Sequence, residues 1–206
     1  DPEIFPDCDF RYETLRSRLR ELAYLNDGVK ITLTDERTGK SEVYYFTDGL
    51  REFVTHLNEG KQEIHRDVIV MRAQDDDQRL VLEIAMQWND GYNENVSCFA
   101  NNIRNIDGGT HLSGFRAALT RTMNYYAKKE NLLKGDLATS GEDFREGLTA
   151  IIAVKVPEPQ FEAQTKVRLM NPEVETFVTQ VVNAQFATFL EENPADAKRI
   201  VLKGIQ

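Results

Sequence analysis

Cysteine, tryptophan and histidine are scarce in this 206-residue chain, which holds two, one and three of them. Cys8 and Cys98 lie far apart, and neither sits in a CxxC or His-rich setting. A disulfide framework and a zinc site of ordinary spacing are therefore excluded, and both thiols are expected to be reduced and buried. Long apolar runs are missing too: none approaches the ~18 residues of a membrane span, and no basic segment followed by an apolar one opens the chain. The expectation is a soluble, cytoplasmic protein. Positive charge is in deficit, 25 Lys and Arg against 34 Asp and Glu for a net charge of −9, so any nucleic-acid contact must be a local patch. No glycine-rich phosphate cradle occurs, Gly108-Gly109 being too short. What is present is a 41% hydrophobic fraction, enough to core one large or two small domains.

The most informative stretch is LTAIIAVKVPEPQFEAQTKVRLMN, from Leu148 to Asn171. Its first half, Leu148 to Val156, is almost continuously apolar and is bounded by Gly147 and Pro157, as suits a strand covered on both faces. Pro157 and Pro159 then bar helix and ladder pairing, so the chain leaves the sheet as a stiff, extended loop carrying Gln164, Thr165 and Lys166. On pattern alone Lys166 reads as a solvated surface lysine. Asn171 offers a helix N-cap, Pro172 fits the first helical position, and apolar periodicity resumes at Val174.

Asp1 to Pro6 has no start methionine and reads as the cut end of a longer chain. An amphipathic helix is expected over Phe10–Leu25, a hairpin from Val29 to Phe46 turning at Arg37–Lys40, and a helix over Gly49–Asn58. The pattern loosens at Glu59–Gln62, which is taken as the boundary between domains 1–60 and 61–206 and as the place of motion. Strands follow at Asp67–Ala73, Leu80–Trp88 and Val96–Ala100; in the second, Glu83 and Gln87 are placed on the polar face. Asp75-Asp76-Asp77 reads as a solvated turn, because three adjacent carboxylates cannot converge on one cation. The next helix is capped by Thr110 and buries Leu112, Phe115, Leu119, Met123 and Tyr126, leaving Arg116, Arg121, Lys128 and Lys129 off that stripe. His111, like His56 and His65, lacks a carboxylate or nucleophile at readable spacing and is taken as structural. The loop from Asn131 to Gly141 is expected to be mobile at its tip, and Glu142–Glu146 to form a helical turn. The helix from Val174 carries an apolar stripe wider than a small sheet needs, which suggests a partner or a further domain; Asn193-Pro194 ends it and starts another.

Three segments carry a family resemblance: KVPEPQFEAQTK, YNENVSCFANNIRNIDGGTHLSGFRAALTRTMN from Tyr92 to Asn124, and SGEDFREGLTAII from Ser140 to Ile152. Together they resemble the transducer domain of type IIA topoisomerases, most closely the gyrase B branch, with the topoisomerase IV B branch as the alternative. Met170 departs from a glycine usual in that family and bears on the backbone path after the loop. The resemblance implies an α+β fold: a ribosomal protein S5 domain 2-like mixed sheet backed by helices, preceded by the C-terminal piece of a gyrase/Hsp90/histidine kinase-type ATPase domain. It implies that Lys166 contacts the terminal phosphate of ATP with Gln164 in support, and that Arg116 first and Arg121 second line a cavity for duplex DNA. ATP with magnesium would be held mainly by residues upstream of residue 1, where the family's base, magnesium-ligating Asn, adenine-reading Asp and glycine-rich lid lie. This chain alone is therefore expected not to hydrolyse ATP, and no metal site is expected in it. Implied partners are a DNA duplex, the gyrase A protein and a second copy of the gyrase B protein on ATP binding. A reading from another class is a non-catalytic interaction module, in which Lys166 is dispensable.

Overall fold

The computed structural model describes residues 3–7, 9–133 and 139–205. Cys8, expected to be buried, and the tip of the Asn131–Gly141 loop, expected to be mobile, lie outside them. The chain divides into two compact units, Asp1–Phe53 and Val54–Gln206, the break falling inside helix α2 (Gly49–Leu57).

In the first unit, helix α1 (Tyr12–Leu25) precedes a hairpin of β1 (Ile31–Asp35) and β2 (Lys40–Tyr44). The strands pair in register from Ile31 with Tyr44 to Asp35 with Lys40. Arg16 of the helix donates from Nε to Glu42 of β2 at 3.0 Å, and the Tyr44 hydroxyl donates to the same carboxylate at 2.6 Å. These donors hold Glu42 below the usual carboxylate range. The apolar centre is a stack of Tyr24 on Phe46 and Phe53, with ring centroids 3.8 and 4.7 Å apart.

The second unit is built on a five-stranded mixed sheet. Its strands are β3 (Ile69–Asp75), β4 (Leu80–Trp88), β5 (Asn95–Ala100), β6 (Ile103–Arg104) and β7 (Leu148–Lys155), in the order β3-β4-β7-β5-β6. Strand β7 is central, antiparallel to β4 and parallel to β5. That position explains its unbroken apolar run, since both faces are covered and only Lys155 is exposed. The two-residue strand β6 is too short to leave a pattern in the sequence.

Helices α3 (Thr110–Lys129), α4 (Gly141–Arg145), α5 (Pro172–Glu192) and α6 (Pro194–Ile205) complete the unit. One core joins Leu82, Ile84, Met86 and Trp88 of β4 and Ile152 of β7 to Phe115, Leu119 and Met123 of α3 and Val178, Val182 and Phe186 of α5. Each large side chain buried there contributes about 1.5–3 kcal/mol. Much of the wide stripe of α5 is taken up inside this core, where Phe177 and Val181 are buried and Phe189 is partly buried. Helices α3 and α5 approach closely because Gly114 has no side chain, and a Cβ there would stand 2.7 Å from the Glu175 carbonyl oxygen.

Two further expectations change. Gln87 is not on a solvated face; it is buried, accepting from Asn58 Nδ2 at 2.8 Å and donating to the His65 and Arg66 carbonyls at 3.0 and 3.1 Å. Asn58 Oδ1 in turn accepts from Thr149 at 2.7 Å and from Asn89 at 3.1 Å. A fully partnered amide can be buried at little cost, and this one fastens residues 58–66 to β4 and β7. Glu59–Gln62, read as a loosened joint, is therefore a turn tied at both ends, the second by the Asp90 amide donating to the Gln62 carbonyl at 2.9 Å.

Candidate functional site

Two of the sequence candidates, Arg116 and Arg121, lie on α3, and the other two, Gln164 and Lys166, on the segment between β7 and α5. Asn101, just past β5, clamps its start: its Nδ2 donates to the Val156 carbonyl and its Oδ1 accepts from the Val156 amide, both at 2.8 Å. This side chain imitates a strand partner at the last residue before Pro157, which has no amide to offer. The segment then doubles back rather than running extended. Phe161 and Leu169 form an antiparallel bridge, the Met170 amide donates to the Gln160 carbonyl at 2.8 Å, and the Glu162 amide to the Arg168 carbonyl at 3.1 Å. Buried Asn171 closes the base, accepting from the Gln160 amide at 2.7 Å and donating to the Glu158 carbonyl at 3.0 Å. That is why it makes no side-chain cap on α5 despite standing at the cap position. Met170 has no positive φ, so the backbone path there does not require glycine.

At the tip, the Lys166 amide donates to the Ala163 carbonyl at 2.9 Å, closing a turn around Gln164 and Thr165. Lys166 itself takes φ 56°, a left-handed conformation costly for a side chain with a Cβ. Its carbonyl accepts from Asn105 Nδ2 at 2.8 Å. Gln164 is exposed and Lys166 half-buried, and among the described residues neither side chain has a hydrogen-bond or ion-pair partner. An ammonium held by its backbone and unused by the protein is suited to an external anion.

The returning limb lies against the start of α3. Leu169 donates to the Gly108 carbonyl at 3.1 Å and accepts from the Thr110 amide at 3.0 Å. Gly108-Gly109 thus serves backbone-to-backbone packing. Thr110 is not the cap: Gly109 occupies that position, Thr110 is the first helical residue, and its amide is satisfied by the loop.

His111 is fully buried, with Nε2 2.9 Å from Asn105 Oδ1 and Nδ1 accepting from the Leu112 amide at 3.1 Å. Burial pushes its pKa down to about 4. Because the folded state holds it neutral while the unfolded chain titrates near 6.5, stability is complete above pH 6.5 and falls as the pH drops toward 4. We expect a loss of about 2 kcal/mol between pH 6.5 and 4.5, read from urea midpoints by fluorescence of the single tryptophan, Trp88, and flattened in His111→Gln. His65, also lowered by burial, adds in the same direction.

Arg116, on α3, is 41% exposed at its side chain and donates from Nε and Nη2 to Glu94 at 3.1 and 2.8 Å; Arg145 of α4 reaches the same oxygen at 3.3 Å. Arg121 is exposed and makes no ion pair among the described residues. Arg116 thus shares its charge with Glu94, whereas Arg121 has no such pair among the described residues. Asp75 commits its carboxylate to the Gln78 amide and side chain at 3.0 and 2.8 Å, as a solvated turn does. No group of three or more His, Cys, Asp or Glu among the described residues is placed to hold a metal ion. Cys98 is buried, its thiol pushed up to about 12 by desolvation. No helix among the described residues is long and apolar enough to cross a membrane.

Sequence reasoning missed Asn101 and Asn105 and read Asn171 only as a helix cap, although the loop hangs on all three. The signal was available in ANNIRN, an asparagine cluster between a strand and a helix, since asparagine both tolerates left-handed backbone and pairs with backbone groups. Asn101 and Asn102 do take φ 49° and 65°.

The fold, a mixed sheet that throws a clamped, lysine-tipped loop from its central strand, is that of solved ATPase-region structures of DNA topoisomerases, with the α+β, S5 domain 2-like arrangement expected. The topoisomerase IV ATP-binding domain of Francisella tularensis shares the fold, with a TM-score of 0.80 at 23% identity over 96% of this chain and 53% of that one. A family model for DNA gyrase B matches residues 49–206, and the chain belongs to that family. It is 52% identical to the DNA gyrase B protein of Clostridium acetobutylicum over 206 residues, covering 100% of this chain and 32% of that protein. With its Myxococcus xanthus counterpart it shares 50% over 204 residues, 98% of this chain and 25% of the other. The crystal structure of the 43K ATPase domain of Thermus thermophilus gyrase B, solved with an aminocoumarin, superposes with a TM-score of 0.86 at 39% identity, covering 99% of this chain and 55% of that one. The chain spans about a third or less of the length of these curated relatives.

Proposed function

We propose that this chain is the transducing part of a DNA gyrase B protein, coupling ATP binding and hydrolysis to capture and passage of a DNA duplex. Residues 1–60 would be the end of the ATPase domain and 61–206 the transducer domain, whereas the compact units part a few residues earlier, between Phe53 and Val54. The observation that carries the reading is Lys166, whose backbone is hydrogen-bonded on both sides while its ammonium has no partner among the described residues. Such a group can neutralise charge on a terminal phosphate oxygen and loses its partner once that phosphate leaves. Gln164, at the same turn, would support the contact. A contact made only with nucleotide present biases one of two arrangements, and the clamped loop passes that bias into the sheet and α3.

ATP and magnesium would be held mainly by parts of the gyrase B protein outside this chain, so the chain alone is inactive in hydrolysis. Arg121, with Arg116 beside Glu94, would meet DNA through backbone phosphates, a contact independent of base sequence and weakened by salt. Further partners on this reading are the gyrase A protein and a second gyrase B protein on ATP binding, in the cytoplasm. Hydrogen exchange on the full-length protein tests the reading. With a non-hydrolysable ATP analogue, the amides of 163–168 should exchange at least several-fold more slowly; identical exchange with and without the analogue would leave the loop with no nucleotide role.

A further inference from the structure

The left-handed turn at Lys166 is unfavourable in itself, so something outside the tip must impose it. Its amide is satisfied locally by the Ala163 carbonyl, but among the described residues its carbonyl is satisfied from a distance, by Asn105 Nδ2 at 2.8 Å. Asn105 is buried and its backbone is fixed, the amide donating to the Cys98 carbonyl at 2.8 Å and the carbonyl accepting from the Gly108 amide at 3.0 Å. The remaining freedom of its side chain is which end of the amide faces the loop, and His111 decides that. Because the Leu112 amide donates to Nδ1, we assign the proton of the neutral ring to Nε2, the nitrogen 2.9 Å from Asn105 Oδ1, where it faces an oxygen. Asn105 Oδ1 therefore faces His111 and Nδ2 faces Lys166. Were the amide turned over, an oxygen would oppose the Lys166 carbonyl and the turn would lose its outer support.

We propose that Asn105 and His111 are positioning residues for Lys166: the buried imidazole orients the Asn105 amide, which holds the Lys166 carbonyl and so aims its ammonium. This rests on the reading of Lys166 as a phosphate contact and adds to it a route by which the α3 start and the loop tip move together. His111 is the second residue of α3, whose first amide already holds Leu169 of the returning limb.

The test uses five variants of the full-length protein, four single and one double. Asn105→Ala and His111→Leu should each lower kcat for ATP roughly tenfold, about 1.4 kcal/mol, with KM unchanged, and speed exchange of the Lys166 amide. His111→Gln, which keeps a side-chain N–H for Asn105, should restore both. In the Lys166→Gln background, Asn105→Ala should cost nothing further, since there is no ammonium left to aim. The proposal is overturned if Asn105→Ala has the same cost with and without Lys166, or if His111→Leu and His111→Gln behave alike. Should Asn105→Ala fail to fold, the two His111 variants and the Lys166 exchange rate decide alone. If Lys166→Gln by itself leaves turnover intact, the underlying reading has failed instead, and the exchange rate still reports whether the pair holds the turn.

Discussion

Replacing Lys166 by glutamine is expected to lower ATP turnover of the full-length protein by a factor of ~10² or more at saturating ATP, while leaving the folded chain as stable as before. The two halves of that result have separate causes. Turnover falls because glutamine keeps length and an N–H donor but has no charge to set against the charge developing on a terminal phosphate oxygen, a contact of the kind worth about 3–4 kcal/mol when removed. Stability is spared because the ammonium has no partner among the described residues, so its loss leaves no orphaned group. Both residues meet the same backbone demand, φ 56°, so the turn is not the variable. Lys166→Arg should recover only part of the rate, because a planar fork does not occupy the place of a compact ammonium. Turnover unchanged in Lys166→Gln would return Lys166 to the status of a solvated lysine and put the interaction-module reading first.

The parts of this fold that can be read in the sequence are those whose cause is local. Strand β7 announces itself by an apolar run that suits only a strand covered on both faces, and α3 and α5 by apolar residues every third or fourth place. The prolines and the resemblance locate the QTK loop, but they do not give its shape. It bends back because Asn171, Asn105 and Gly109 hold it, and the two asparagines act across gaps of 11 and 61 residues in the chain. Gln87 is misplaced for the same reason: an amide at an alternating position looks solvated until Asn58, His65 and Arg66 are seen around it. The surplus of α5 looks like an unfilled interface when its width is judged against the sheet alone, and α3 takes up much of the rest. Arg116 is legible as a basic residue off the buried stripe, whereas its ion pair with Glu94, 22 residues away, is not.

Gly109→Ala is expected to be the most damaging single-methyl change in the second unit. Gly109 sits at φ 137°, ψ −155°, a region open almost only to glycine, and a Cβ there would stand 2.2 Å from the Leu169 carbonyl oxygen and 2.5 Å from its nitrogen. Both obstacles are backbone, so no side chain can swing aside. Strain of about 1–3 kcal/mol then adds to loss of the Thr110–Leu169 and Leu169–Gly108 hydrogen bonds at about 1 kcal/mol each. The total, about 3–5 kcal/mol, is a large share of the roughly 5–15 kcal/mol that keeps a domain folded. Two neighbours calibrate it. Gly108→Ala has a left-handed φ of 68°, but its Cβ would meet Leu112 Cδ2, which can move; Gly60→Ala at φ 78° meets nothing within 4 Å. The cost should therefore rise from Gly60 through Gly108 to Gly109, measured by urea unfolding at Trp88, which is buried in the second unit's core and donates to the Phe144 carbonyl at 2.9 Å. A Gly109→Ala chain within ~1 kcal/mol of its parent would mean that Leu169 does not lie against Gly109, and that the returning limb of the loop is not seated on α3. If the chain instead stays folded but opens at this seat, Lys166 is released with the limb, and the full-length protein carrying Gly109→Ala should lose turnover as Lys166→Gln does.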